Sequence, residues 1–231
     1  MDLRQQVVLI TGASGGLGTF VTKSFLDAGA SVVGVSPSIA ASGFRNESFL
    51  ALAAEISSAD HARALVSETV AKRSRIDVLV HLVGAFAGGL SVAETDDAML
   101  ERMLDLNFRS AFYMMRAVLP LMRKQGSGRI LAIGSRAAVE ASPMAGAYAA
   151  SKAALVSLIR TIARENSDRG ISVNVLLPGT MDTPANRTAM PGADFSKWVQ
   201  PSQVAKLLVH LATADASQVN GAVIPIYGGE A

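Results

Sequence analysis

"VVLITGASGGLGTF", residues 7–20, is the stretch whose reading decides the fold. An apolar, β-branched run, Val7 to Ile10, passes directly into a turn holding Gly12, Gly15, Gly16 and Gly18, and the turn opens a helical pattern. Glycine lets a backbone turn tightly and come close to a pyrophosphate, while N–H groups and the helix dipole face the anion. A glycine-rich turn that only reverses the chain is the competing reading. Its place between a strand and a helix favours the phosphate reading.

The same alternation continues outward. Short Val/Ile/Leu-rich runs at 6–11, 31–36, 48–52, 76–83, 129–135, 171–177 and 222–227 give seven strands. Helical stretches lie near 16–28, 59–73, 96–125, 146–167 and 202–213, with Gly29 and Gly170 where left-handed helix ends want glycine. Runs of this kind, apolar without strict alternation, are parallel strands buried on both faces. The expectation is one α/β domain over residues 1–231, a doubly wound, Rossmann-like, seven-stranded parallel sheet with helices on both faces. Ligands of such sheets bind beyond the carboxyl ends of the strands. The run at 48–52 also reads as an early helix start, and 181–200, with mixed helix and turn signals, reads as an excursion over the cleft.

Composition narrows the function classes. Half of the 231 residues are hydrophobic, enough for a large core, and 21 Lys plus Arg against 19 Asp plus Glu leave a formal charge of +2. That balance points to neither a nucleic-acid nor a membrane partner. The absence of cysteine removes disulfides, thiol nucleophiles and thiolate metal sites. With only three histidines, at 61, 81 and 210, no metal site is expected. The amino-terminal residues carry no signal-peptide pattern, so a cytoplasmic protein is the expectation.

Gly12, Gly16 and Gly18 follow the spacing Thr-Gly-x-x-x-Gly-x-Gly, and "YAASK" at 148–152 gives Tyr-x-x-x-Lys. Ser135 stands thirteen residues before Tyr148, "LNFRSAF" supplies Asn107, and "LLPGTMDTP" and "NGAVIPIYGG" follow in order. This ordered set resembles the short-chain dehydrogenase/reductase family over essentially the whole chain. The resemblance implies hydride transfer between a nicotinamide cofactor and a carbonyl or alcohol carbon of a small molecule, with Tyr148 as acid/base. Lys152 would favour the phenolate and hold the nicotinamide ribose, Ser135 would donate to the substrate oxygen, and Asn107 would hold a water in a proton relay. Tyr148 and Lys152, four residues apart on a helix, share one face, and a phenol near pKa ~10 needs such a cation to exchange protons at neutral pH.

The cofactor would lie on Gly12, Ser14, Gly15, Gly16, Leu17 and Gly18, with Ser36, Glu55 and Ile56 towards the adenosine and Gly84 in the turn after the fourth strand. Pro178, Gly179 and Thr183, with Tyr148 and Lys152, would lie beside the nicotinamide. Three departures from the family's pattern stand out. Glu55-Ile56 replaces Asp-Val; "HLVG", 81–84, replaces Asn-Asn-Ala-Gly; and Ser36-Pro37 stands where an acidic residue accepts ribose hydroxyls in NAD-using relatives. In "HLVG", His81 is expected as a hydrogen-bonded core residue bracing the turn. Without the carboxylate a 2′-phosphate is not repelled, and Ser36 and Ser38 offer hydroxyls, which favours NADPH. NAD use through backbone contacts remains the alternative.

Met99, Met103, Met114, Met115 and Met122 read as core filling in a helix. Met144, Met181, Met190 and Trp198 fall around the expected cleft and are candidates for an apolar substrate wall. Arg136 is a candidate for an anionic substrate group or a surface arginine. The segments 182–198 and 83–89 resemble those of quinoid dihydropteridine reductases, whereas Ser135 resembles carbonyl reductases. Dihydropteridine reduction and a non-catalytic, dinucleotide-sensing protein are therefore the alternatives to a carbonyl reductase. A homodimer or homotetramer joined through helices 96–125 and 146–167 is implied by the resemblance.

Overall fold

The structure is a computed structural model that describes residues 2–230. Seven strands, β1 (Val7–Thr11), β2 (Ser31–Ser36), β3 (Phe49–Ala53), β4 (Val78–His81), β5 (Gly128–Ile133), β6 (Ile171–Pro178) and β7 (Val223–Ile226), form one sheet. Its order is β3-β2-β1-β4-β5-β6-β7, with every pairing parallel. The chain builds outward from β1 to β3, then crosses back to place β4 on the other side of β1. That reversal makes the carboxyl ends of β1 and β4 the switch point at which such sheets hold ligands.

The strands are buried on both faces, as their uninterrupted apolar runs require: every residue of β1 and β6 is buried. One face is covered by α2 (Ala59–Arg73), α4 (Ser110–Gln125) and α5 (Gly146–Glu165), with Leu65, Met114, Val118, Leu155 and Ile159 in its core. The other is covered by α1 (Gly18–Asp27) and α7 (Pro201–Ala212), through Val21, Phe25, Val204 and Leu208. Burying one such side chain stabilises the fold by roughly 1.5–3 kcal/mol, so the two layers supply the main favourable term. Met103, Met114, Met115 and Met122 are completely buried, while Met99 is only partly covered.

The glycines at 29 and 170 have φ of +85° and +67°, as expected of left-handed turns. The run at 48–52 is a strand, not a helix start. Among the strand ends that differ from the sequence reading, two bear on the site. β4 stops at His81, since Leu82 and Val83 leave the sheet to pass under the glycine turn, and β5 stops at Ile133, which puts Ser135 just beyond the sheet. The helix expected over 96–125 is divided: α3 (Asp97–Leu104) and α4 are joined by a π-helical turn, Asp105–Arg109. The excursion at 181–200 holds α6 (Pro184–Ala189) and a 3₁₀ turn at Phe195–Lys197, and is fastened at its base by a bridge between Met181 and Val199.

Candidate active site

The glycine turn leaves β1 at Thr11. Gly12 has φ +75°, and a Cβ there would lie 3.1 Å from the Leu82 carbonyl carbon; a Cβ on Gly18 would lie 2.0 Å from the Gly12 oxygen. Both positions therefore require glycine, one for conformation and one for space. Ser14, Gly15 and Gly16 are exposed, whereas Leu17 turns into the core, and Thr183 closes over the turn with its methyl near Gly16. α1 starts without a side-chain cap and without an acidic residue in its first turn, so its N–H groups and dipole remain available to an anion.

A cleft of about 580 Å³ runs from Gly12 past Ser36 and Pro37 to Glu55, Ile56 and Val83 along the carboxyl ends of the strands. Glu101, Arg102, Asp105 and Arg109 of α3 and the π-turn line its other side, and its size and its place beside Gly12 fit the adenosine half of a dinucleotide. Glu55 lines it with an exposed side chain, while Ile56 is buried. The Ser36 hydroxyl behaves differently from the sequence expectation. It donates to the Val35 carbonyl at 2.7 Å and accepts the Ser14 N–H at 3.1 Å, so it fastens the glycine turn to β2 instead of offering a proton to a phosphate.

On the other side of the switch point, α5 brings Tyr148 and Lys152 onto one face, and the segment after β5 brings Ser135 beside them. The Ser135 side chain lies close to the Tyr148 hydroxyl. Burial raises the phenol above its ordinary value of 10, and the Ser135 hydroxyl opposes that shift. Lys152 is buried, and its ammonium donates to the Ile133 carbonyl at 2.8 Å. Burial lowers it to about 8.

Asn107 sits in the π-turn, fully buried. Its Oδ1 accepts the Ala85 N–H at 2.9 Å, and its Nδ2 donates to the Ala85 carbonyl at 2.9 Å and to Ser151 Oγ at 3.1 Å. Ser151 donates in turn to the Tyr148 carbonyl at 2.7 Å. The side chain therefore clamps the turn after β4 against α5. Gly84 explains why glycine stands there: a Cβ would lie 2.7 Å from Asn107 Oδ1 and 3.1 Å from Lys152 Nζ.

The candidate wall residues separate. Met144 and Met190 are exposed, Met144 with a strained φ of +63°. Met181 packs against the core and Trp198 is buried against Phe195, with ring centroids 4.7 Å apart. Arg136 is ion-paired with Glu140 and lies over the Tyr227 ring. Pro178 ends β6, and the Gly179 N–H is held by the Ile226 carbonyl. The sequence reading missed Phe86 and Ser151. The Phe86 ring meets Tyr148 edge-on at 5.0 Å while 70% exposed, a large apolar surface left open beside the phenol. Its position in "VGAFAGG", just after the switch-point strand, was the available signal.

The family model for short chain dehydrogenases matches residues 6–193. The chain belongs to the short-chain dehydrogenase family. It is an NAD(P)-dependent oxidoreductase of that family. A 3-oxoacyl-[acyl-carrier-protein] reductase of Thermotoga maritima is 30% identical over 99% of this chain and 99% of its own. Among solved structures, a 3-ketoacyl-(acyl-carrier-protein) reductase from Brucella melitensis complexed with NADH has a TM-score of 0.89 at 26% identity, covering 99% of both chains. ElxO with NADP bound has a TM-score of 0.91 at 25% identity, covering 97% of this chain and 98% of its own. The seven-stranded sheet and its switch-point cleft are thus those of short-chain dehydrogenases.

Proposed function

We propose that this short-chain dehydrogenase reduces the carbonyl group of a small molecule with an apolar body, using NADPH. The observation that carries the reading is the Ser135–Tyr148 hydroxyl pair beside the buried Lys152, at the carboxyl ends of the strands and next to the glycine turn. When bound, the nicotinamide cofactor supplies the hydride. Tyr148, a neutral phenol at working pH because burial raises it, donates the proton that the substrate oxygen needs. Ser135 hydrogen-bonds the same oxygen and steadies the charge developing there. Lys152 binds the ribose hydroxyls, and Asn107 holds the backbone around the proton's route. Phe86 and Met144 line the mouth and select an apolar substrate.

The preference for NADPH rests on a second cavity of about 460 Å³, lined by Ser14, Thr19, Lys23, Ser38 and Ser42. It offers hydroxyls and one ammonium to a 2′-phosphate, with no carboxylate among its lining residues. Leu100 and Phe112, exposed on α3 and α4, support association of copies through those helices. Turnover with 3-oxoacyl thioesters, simple ketones and a quinonoid dihydropterin, each with NADPH and NADH, tests the reading. Reduction of a ketone or thioester with NADPH is expected. Exclusive use of the dihydropterin would overturn the carbonyl assignment, and inertness towards all three would favour a dinucleotide-sensing role.

A further inference from the structure

Beneath the site lies a buried polar cluster that the proposed chemistry does not use. Thr11 and His81, the last residues of β1 and β4, are register partners, and Ser110 opens α4 immediately after the π-turn. Thr11 Oγ1 is 2.9 Å from His81 Nδ1, and His81 Nε2 is 3.3 Å from Ser110 Oγ. Ser110 Oγ also lies 2.7 Å from the Leu106 carbonyl, inside the π-turn. A carbonyl only accepts, so the single serine proton is spent there and the serine oxygen accepts from His81 Nε2–H. That fixes the tautomer: Nδ1 is bare and accepts the Thr11 proton.

We propose that His81 is a positioning residue, whose imidazole ties the strand end that launches the glycine turn to the π-turn that carries Asn107. Three observations converge on this role. All three side chains are at most 1% exposed, so water cannot replace the bonds. The span runs from β1 through β4 to α4 and lies at the last register pair of the two strands, at the switch point. The serine closes on Leu106, the residue before Asn107, and such back-bonding bends helices locally. π-Turns themselves concentrate at functional sites. Burial and the nearby Lys152 charge keep the imidazole neutral, lowering it to about 3, so the wiring holds throughout the working pH range.

The inference rests on the proposed role of Asn107, and its test separates the two. In ¹⁵N-histidine-labelled protein, one of the three histidines should show protonated Nε2 and bare Nδ1, unchanged from about pH 5 to about pH 9. A protonated Nδ1, or titration near the ordinary histidine value, at the signal that His81→Asn removes would overturn the proposal. In kinetics, Ser110→Ala should lower kcat about tenfold with KM and cofactor Kd within about twofold, and Ser110→Thr should restore the rate. If Tyr148→Phe abolishes turnover but Ser110→Ala leaves kcat unchanged, the positioning role fails alone; if Tyr148→Phe retains turnover, the reading of the site fails. Should Ser110→Ala not fold, the nitrogen spectrum of the wild type decides.

Discussion

Burial pushes Tyr148 and Lys152 in opposite directions, the phenol up and the ammonium down to about 8, because in each it disfavours the charged form. A neutral phenol and a charged lysine therefore coexist below about pH 8. The reductive rate should fall as pH rises through that value, seen as a single alkaline limb in kcat/KM. The Lys152 contribution to folding stability has the opposite trend. Between about 8 and 10.5 the unfolded chain holds the proton that the folded one has lost, so stability gained from this group rises with pH. A rate that falls without loss of Tm is the expected signature, and a flat rate to pH 10.5 would contradict it. Gly84→Ala drives a methyl against Asn107 and Lys152, and at least about a tenfold loss of turnover is expected in steady-state assay. At this scale the sequence was legible where spacing carries position: Tyr148 and Lys152 lie four residues apart on α5, and Ser135 follows the end of β5. It was not legible where a hydroxyl has two possible partners. Nothing in "VSPS" shows that Ser36 spends its proton on Val35 and its oxygen on Ser14.

The π-turn is the element that the sequence concealed. Met103, Asn107, Ala111, Met114, Val118 and Met122 keep a spacing of three or four, so a residue inserted into the helix leaves the apolar stripe unbroken. The turn shows itself only in the backbone, with Ser110 N–H closing on the Asp105 carbonyl. Asn107→Ala removes the partner of both Ala85 backbone groups, and a loss of about 2 kcal/mol is expected from urea unfolding. Asn107→Asp keeps the acceptor and loses the donor, and should fall between. On the opposite flank, α1 contributes Lys23 to the cavity beside the glycine turn. Lys23→Ala should weaken NADPH binding about tenfold, about 1.4 kcal/mol, and leave NADH unchanged when nicotinamide fluorescence is titrated in parallel. Equal effects on the two cofactors would remove Lys23 from the 2′-phosphate site. The helix pattern of 16–28 carried no sign of this, because the cavity forms only when the loop after β2 folds against α1.

Across the whole molecule the alternation of apolar runs and helices was legible as a parallel sheet with both faces covered, and seven strands joined by helices form the doubly wound sheet observed. His81 links that architecture to acid stability. Unfolded, it protonates near 6.5; folded, burial and Lys152 hold it neutral to about 3. Stability therefore falls as pH drops through this window, by up to about 1.4 kcal/mol per pH unit from this group. His81→Asn should flatten that acid limb in Tm against pH, and an unaltered limb would show that other groups set it. The central claim, that this sheet presents Tyr148 as the proton donor of a carbonyl reduction, is tested most directly by one comparison. Wild type and Tyr148→Phe are assayed together for NADPH oxidation on the substrate panel, with cofactor Kd measured on both. The account predicts turnover of a carbonyl substrate by wild type and a loss of at least about 100-fold in the variant, with cofactor binding intact. A variant that turns over at the wild-type rate would contradict it.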